Sequence, residues 1–282
     1  MGYMKIHNLY KDIRILDFKE CYALEKIHGT SAHITLKNDD LKFFSGGAKH
    51  ESFVALFDEQ KLKASFISLG FPEITVYGEA HGGKMQKMSD TYGKDLRFIA
   101  FEVRVGESWF DVAKAHDLVD TLGLEFVSYA RGPATLEWIN EQRDMPSSQA
   151  IRLGIGDDKM REGVVLRPTE ECLDYRGNRI ITKHKRDEFK ETKTKREVDP
   201  EQLKVLEEVR AIADEWVTPM RLAHIMDKMP ECSEMKHVPD VIRAMISDVK
   251  IESEREVVWS EAVEKAIGRN TVALYKKSIS RI

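Results

Sequence analysis

The chain has 282 residues, 42% of them hydrophobic and 9% aromatic, so it can form one large or two ordinary domains and is not a disordered polypeptide. Lysine and arginine number 44 against 48 aspartates and glutamates, a net charge of -4, which excludes binding of nucleic acid through overall charge alone. Any site for a polyanion must be a local patch.

The cysteine pattern and the apolar runs indicate the compartment. Cys21, Cys172 and Cys232 are far apart and include no Cys-x-x-Cys pair, which argues against a disulfide framework and against a zinc knuckle. The first dozen residues lack an apolar leader core, and no apolar run reaches about 18 residues. We therefore expect a soluble, unexported, cytoplasmic protein with no membrane partner.

From Cys21 to Lys185, short β-rich runs alternate with helical patterns. Apolar residues at three- and four-residue spacing predict amphipathic helices over 52–69 and 112–122. The β-rich runs predict strands at 22–26, 33–37, 74–77, 98–103 and 163–167. This region is predicted to be α+β, with a mixed, mainly antiparallel sheet.

The composition changes near Lys183. Residues 183–196 hold seven lysines and arginines against three acids, which predicts a strand end running into a basic linker. Asp199 and Thr218 each precede a proline, the signal for a helix start, and apolar stripes follow at 203–216, 238–249 and 258–267. We predict a first domain over 1–196 and a small all-helical C-terminal domain over 197–282.

The first predicted strand ends in a short chemical motif, Glu25-Lys26-Ile27-His28-Gly29-Thr30. Alone the motif is weak, because a solvated lysine before a hairpin turn would look the same. Further segments follow in a fixed order: Tyr77-Gly78-Glu79, the aromatic strand Phe98 to Val103, Glu162-Gly163-Val164-Val165 and Lys183-His184-Lys185. Five independent matches in one order are a much more specific signal.

Over about residues 20–190, this ordered set resembles the covalent nucleotidyltransferase superfamily of ATP-dependent polynucleotide ligases and capping enzymes. His28 in the first motif, and the run from Tyr77 to Lys87 with Tyr92 after it, look most similar to the RNA ligase 2 type known from bacteriophages. That type has a small helical C-terminal domain, whereas DNA ligases and capping enzymes typically continue with an OB-fold. The helical stripes after Asp199 agree with the RNA ligase 2 type.

The resemblance implies the catalytic residues. Lys26 would attack the α-phosphate of ATP, forming lysyl-AMP and releasing pyrophosphate. Lys183 and Lys185, on one face of a strand, would hold that phosphate as charge develops on it. Glu162 would bind Mg²⁺ or Mn²⁺, which prefer carboxylate oxygen.

The resemblance also implies the residues that hold the nucleotide. Glu79 would accept a hydrogen bond from a ribose hydroxyl, and Phe101 would stack on the adenine, a contact worth about 1 to 3 kcal/mol. Glu25 and the backbone of Ile27 would contact the edge of the adenine. His28 would lie near the departing phosphates, and Gly29 would allow a phosphate to approach the backbone closely.

Two positions depart from the RNA ligase 2 pattern. Phe44 stands before Ser45-Gly46, where that type usually carries a basic residue that contacts nucleic acid, so Lys42 and Lys49 become the candidate contacts. Glu102 stands where the closest relatives often have aspartate, which keeps the carboxylate. The basic linker from Lys190 to Arg196 is a further candidate contact with the nucleic-acid backbone.

The leading hypothesis is a monomeric phage-type enzyme that seals nicked or broken RNA in three steps. These are lysine adenylylation, transfer of AMP to an RNA 5′-phosphate, and attack by a 3′-hydroxyl with loss of AMP. The alternatives are a DNA ligase, a capping-type nucleotidyltransferase, or a non-catalytic nucleotide- or RNA-binding module. The motifs leave open the choice among nicked duplex, stem-loop break and single strand.

Overall fold

The computed structural model describes residues 3–174, 177–189, 197–229, 231–254 and 256–279. The chain divides into two compact units, Met1–Glu197 and Val198–Ile282, each with its own buried core. The predicted basic linker from Lys190 to Arg196 lies outside the described residues. Within the described ranges, no helix combines the length and the apolar character needed to cross a membrane.

Strands of the first unit form two sheets. The strands are β1 (His7–Asn8), β2 (Glu20–Lys26), β3 (Thr30–Lys37), β4 (Asp40–Ser45), β5 (Glu73–His81), β6 (Arg97–Val105), β7 (Ser108–Trp109), β8 (Tyr129–Pro133), β9 (Gly163–Pro168) and β10 (Thr182–Lys185). The first sheet has the order β1-β10-β9-β2-β8 and the second the order β4-β3-β5-β6-β7. Neighbouring strands are antiparallel except for the parallel pair of β1 and β10, which confirms the predicted α+β class with mainly antiparallel pairing.

Alternation along β3 shows how the second sheet uses its two faces. Ala32, Ile34 and Leu36 are fully buried in the core, whereas the side chains between them point to the opposite face. Helices of the first unit are α1 (His50–Val54), α2 (Glu59–Ser68), α3 (Ser89–Tyr92), α4 (Val112–Thr121), α5 (Leu136–Asp144) and α6 (Ser148–Arg152). Apolar residues of α2 and α4 join this core, which leaves the other sheet face for the site described below.

The prediction of a single helix over 52–69 is wrong, because the structure has two helices separated by a break at residues 55–58. The chain forms α1 and then α2, and the second helix starts where the Asp58 side chain accepts a hydrogen bond from the Lys61 N–H at 3.0 Å. An aspartate cap satisfies an otherwise unpaired N–H and fixes a helix start. The apolar spacing continues across this cap, so periodicity alone did not detect the break.

The second unit is helical, with α7 (Pro200–Trp216), α8 (Pro219–Asp227), α9 (Val238–Glu252) and α10 (Glu261–Ile279). Asp199 and Thr218 cap α7 and α8 through their side chains, as predicted. The apolar stripe predicted at 258–267 includes one residue too many at its start. Val258 is 90% exposed and lies before the first residue of α10, Glu261. The apolar faces of the four helices share one core.

Candidate active site

The first motif lies where the chain passes from one sheet to the other. Lys26 ends β2 in the first sheet, and Thr30 begins β3 in the second. Between them, a Cβ atom on Gly29 would lie 2.3 Å from the carbonyl oxygen of Ala80, so a larger residue would force the two segments apart. Glycine is therefore required for this tight crossing.

Backbone N–H groups of the crossing are held by two side chains. Gly29 donates to Oε1 of Glu79 at 3.1 Å, and His28 donates to the Tyr92 hydroxyl at 3.3 Å. Burial raises the pKa of Glu79 to about 7, although the positive charge of Lys26 lowers it in part. Glu79 of β5 and Tyr92 of α3 thus hold the segment between Lys26 and Thr30, and Glu79 lies next to Lys26.

Across the first sheet, two lysines lie on either side of one glycine. Lys26 of β2 and Lys185 of β10 are both in register with Gly163 of β9. Gly163 has φ +152°, and a Cβ atom there would lie 2.1 Å from the carbonyl oxygen of His184. This glycine therefore allows three strands to bring two distant lysines together.

Glu162, which directly precedes β9, lies among these cations and is 1% exposed. Its Oε2 is 3.1 Å from Lys26 Nζ and 3.1 Å from His28 Nδ1, and its Oε1 is 2.8 Å from Lys185 Nζ. Burial alone would raise the pKa of Glu162, but His28 and the charges of the two lysines lower it to about 2. The carboxylate is therefore ionised at neutral pH. The structure thus brings together Lys26, His28, Glu162 and Lys185.

A cavity of about 100 Å³ beside this cluster is lined from both sheets. Leu24, Lys26 and Val165 belong to the first sheet, and Glu79 and Phe101 to the second. Typical ligand pockets have volumes of about 300 to 1,000 Å³. A ligand of nucleotide size would therefore need a larger opening than the structure shows.

Tyr3 accounts for part of this restriction. Its ring centroid is 5.0 Å from that of Phe101 and 5.2 Å from that of Tyr77, and its hydroxyl donates a hydrogen bond to buried Glu102. Sequence reasoning missed Tyr3. It lies outside every motif, and the short, irregular segment around it has no periodicity that could have revealed it.

A β-bulge directs Phe101 toward the cavity. Tyr77 pairs with Glu102 and Gly78 pairs with Ala100, so Phe101 is the extra residue between them. A bulge leaves one residue out of the ladder and re-aims its side chain. Phe101 and Glu102 consequently both line the cavity, although strict alternation would have put neighbours on opposite faces.

Glu102 ties the two sheets together in the wall of the cavity. Its Oε1 is 3.0 Å from Arg167 of β9 and 2.5 Å from Arg179, and all three side chains are at least 96% buried. Burial alone would raise the pKa of Glu102, but the two arginines and the Tyr3 hydroxyl hold it below its usual value. Glu102 is thus part of a buried ionic cluster.

Glu25 is among the residues that line the cavity, and its carboxylate is held by groups at the start of α6. Its Oε1 accepts a hydrogen bond from the Ser147 hydroxyl at 2.6 Å, and its Oε2 accepts one from the Gln149 N–H at 3.2 Å. Burial raises the pKa of Glu25, while the bond from Ser147 lowers it in part. The side chain therefore holds the start of α6, and its role at the adenine edge stays a prediction.

The remaining predicted residues fall in three places. Ile27 is 4% exposed and lines the cavity, and Lys183 precedes Lys185 by two residues on the same face of β10. Lys42 is exposed on β4, the outermost strand of the second sheet, and Lys49 is exposed just beyond the end of β4. Lys26 is on β2 of the first sheet. The nucleic-acid role of these two lysines stays a prediction.

Comparison with known proteins identifies a family and a number of solved structures with a similar fold. The model of the family described as RNA ligase matches residues 19–185, which include every motif above. No curated protein matches the sequence with significance.

Several structures of an RNA ligase from Naegleria gruberi are similar in fold. A variant solved with AMP and Mn superposes with a TM-score of 0.53 at 14% identity, covering 67% of this chain and 57% of that one. The same ligase with PPi gives a TM-score of 0.53 at 15% identity, with the same coverage. This chain thus spans somewhat more than half the length of the Naegleria protein.

Proposed function

The chain belongs to the RNA ligase family, and we propose that it is an ATP-dependent RNA ligase that joins 3′-hydroxyl and 5′-phosphate ends through a lysyl-AMP intermediate. The observation that carries the proposal is the meeting of Lys26, Glu162 and Lys185 beside a cavity lined by Glu79 and Phe101. These residues are far apart in sequence, and each has the chemistry that one step requires. The similar Naegleria ligase was solved with ATP and Mn, which supports the same nucleotide and a divalent ion here.

Lys26 is the nucleophile in this proposal. Its amine must lose a proton to solvent before the nitrogen can attack the α-phosphorus of ATP. A P–N bond then forms, the bond from the α-phosphorus to the bridging oxygen breaks, and pyrophosphate leaves. Glu162 holds the Lys26 side chain in the cavity lining, and Lys185 supplies fixed positive charge for the α-phosphate in the transition state.

The nucleoside is held by the other sheet. Phe101 offers a ring face for the adenine, and the Glu79 carboxylate accepts a hydrogen bond from a ribose hydroxyl. In this proposal Tyr3 moves aside as the base enters, because its ring touches that of Phe101.

Glu162 is the candidate metal ligand. The described residues contain no group of three or more histidine, cysteine, aspartate or glutamate side chains arranged to hold an ion. A single ionised carboxylate nevertheless fits Mg²⁺ or Mn²⁺, since Mg²⁺ often binds through one or two carboxylates, substrate phosphates and water. An ion there would supply positive charge to the phosphate oxygens.

The same residues would serve the two later steps. An oxygen of the RNA 5′-phosphate attacks the phosphorus of lysyl-AMP, the P–N bond breaks, and the Lys26 amine takes up a proton from solvent. A 3′-hydroxyl then attacks the RNA 5′-phosphorus, loses its proton to solvent and displaces AMP. Both transfers develop negative charge at phosphate beside Lys183 and Lys185. We include in the proposal that the enzyme acts as a monomer on broken RNA in the cytoplasm, where its three free cysteines would stay reduced.

Intact-protein mass after incubation with ATP and Mg²⁺ tests the first step. The parent, first stripped of bound AMP with pyrophosphate, should gain the mass of one AMP, whereas Lys26→Ala and a parent sample with GTP should gain none. Absence of the gain in the parent would contradict the enzyme and favour a binding module. A gain from GTP alone would favour a capping-type enzyme.

Joining assays on matched nicks test the substrate. The parent should seal an all-RNA nick with ATP and Mg²⁺ and should be slower on the same nick made of DNA. The reverse order of rates would point to a DNA ligase.

A further inference from the structure

Two stacked rings lie at the edge of the second sheet, outside the cavity. Phe44 of β4 is directly opposite His33 of β3, with ring centroids 4.8 Å apart and ring planes inclined by 20°. The two rings are stacked along the direction from one strand to the next. Their planes therefore stand roughly perpendicular to the plane of the sheet. Because β4 is the outermost strand, the far face of the Phe44 ring points beyond the sheet edge.

The ring pair belongs to the sheet face opposite the core. Phe43, the neighbour of Phe44, points the other way and stacks on Phe57 in the core at 5.4 Å. Phe44 and His33 are both half-buried, so part of their surface reaches solvent. Burial lowers the pKa of His33, so at neutral pH its ring is an uncharged aromatic surface and a poor phosphate ligand.

The pair is continuous with the candidate active site. His33 lies opposite Tyr77 of β5, with ring centroids 5.5 Å apart, and Glu79 in the cavity wall is two residues further along the same strand. Ordinary strand spacing puts the Phe44 backbone roughly 12 Å from that of Glu79. At about 3.4 Å per stacked base, three or four nucleotides span this distance.

Cationic side chains flank the rings. Lys42 lies on the same face of β4 as Phe44, and its side chain is 73% exposed. Within the part of the chain that the structure describes, its one ion pair is with the exposed carboxylate of Asp40, at 3.0 Å. Exposed pairs of this kind contribute at most about 1 kcal/mol, so a phosphate can replace Asp40. Lys49 is exposed just beyond the end of β4. A nucleic-acid strand that passes Phe44 would therefore have cations near its backbone.

We propose that Phe44 and His33 form a stacking platform for an unpaired base of the RNA that is joined, so that single-stranded ends are preferred to a nick in a duplex. The inference rests on the proposed function and names its substrate class. A base inside a duplex is already stacked on both faces, whereas an unpaired base can extend the two-ring stack on the free side of Phe44. Aromatic side chains bind unpaired RNA bases in this way with little sequence preference.

The test compares two RNAs and three versions of the full-length chain. The probes are a short 5′-phosphorylated RNA with 2-aminopurine near its 5′ end, used as a single strand, and the same strand annealed in a nicked duplex. The proteins are the parent, Phe44→Leu and Phe44→Tyr. Leucine keeps an apolar side chain but removes the ring, and tyrosine keeps the ring. Fluorescence anisotropy gives the affinities, and 2-aminopurine emission reports stacking.

We expect Phe44→Leu to bind the single strand about 5- to 150-fold more weakly and to lose the quenching of 2-aminopurine, as loss of one base–ring stack predicts. Phe44→Tyr should stay within about threefold of the parent, and binding of the nicked duplex should change little in either variant. Equal single-strand affinity and quenching in the parent and Phe44→Leu would overturn the platform. So would a parent that binds neither RNA, or that prefers the nick.

A second measurement separates this inference from the proposed function. All three proteins should gain one AMP from ATP, because Phe44 does not line the cavity. A parent that stacks the base but gains no AMP would refute the ligase mechanism and leave the platform standing. A melting curve for Phe44→Leu that matches the parent would exclude unfolding as the cause of weak binding.

Discussion

Lys26 shows how the function of one residue depends on its neighbours. The side chain lies 3.1 Å from Glu162, at the point where the chain leaves the first sheet. In the proposed mechanism nucleotide capture needs its amine, whereas the joining of RNA that already carries a 5′-adenylate does not need the lysyl adduct.

We therefore expect Lys26→Ala to fail at joining 5′-phosphate RNA with ATP, yet to join pre-adenylylated RNA with Mg²⁺. The control is Lys114→Ala, which removes a lysine that is 72% exposed on α4 and outside every motif, and it should leave both reactions intact. Gel assays of both substrates measure this. ATP-dependent joining by Lys26→Ala would contradict the assignment of the nucleophile.

His81 makes folding stability depend on pH. It is fully buried, and burial lowers the pKa of its ring to about 4, against about 6.5 in an unfolded chain. Between these values the unfolded chain binds more protons than the folded one, so stability falls as the pH falls from about 6.5 to about 4.

Between about pH 7.5 and about pH 5, the parent should lose about 2 kcal/mol more unfolding free energy than His81→Gln, which has no ring to titrate. Urea unfolding at the two pH values measures the difference. Equal losses in both proteins would show that His81 is protonated without cost in the folded state.

Strands from both sheets build the cavity, and Glu102 joins the two sheets. The carboxylate is on β6, one of its arginine partners is on β9, and both groups are almost fully buried. Removing one partner from a buried ion pair leaves the other charge without compensation, which is costly.

Glu102→Ala should therefore lower the unfolding free energy by about 3 to 5 kcal/mol. The matched control is Glu20→Ala, which removes the exposed carboxylate that pairs with Arg131 at 2.5 Å and should cost less than about 1 kcal/mol. Denaturant titration of both variants decides this. A small loss in Glu102→Ala would mean that the sheets are held together by apolar packing alone.

The elements also show what sequence could and could not predict. The strand that carries Lys26 and the strand that begins at Gly163 follow from local β propensity and were predicted nearly to their ends. The bulge at Phe101 and the cap at Asp58 were missed, because each interrupts a periodic pattern at a single residue. Tyr3 could not be predicted, since its place in the cavity depends on contacts with distant strands.

For the whole molecule, the division into two units predicts separable functions. The first unit, Met1–Glu197, contains the lysine cluster, the cavity and its own core. The second unit, Val198–Ile282, has a separate helical core.

We expect a chain that ends at Glu197 to gain one AMP at a rate close to that of the full chain, and to lose strand joining by at least about tenfold if the helical unit orients RNA. Intact mass and joining of a nicked RNA measure the two steps. Equal loss of both would contradict the division of labour.

The register in which Lys26 and Lys185 both face Gly163 has a consequence for biosynthesis. The lysine and its partners cannot assemble until β10 has been synthesised, which at ordinary elongation rates comes roughly 8 to 30 s after residue 26 is made. During that interval the nascent chain contains Lys26 but lacks the side chains that surround it in the folded protein. The proposed capture of ATP would therefore become possible only late in synthesis, and pairings over such long sequence separations also slow folding.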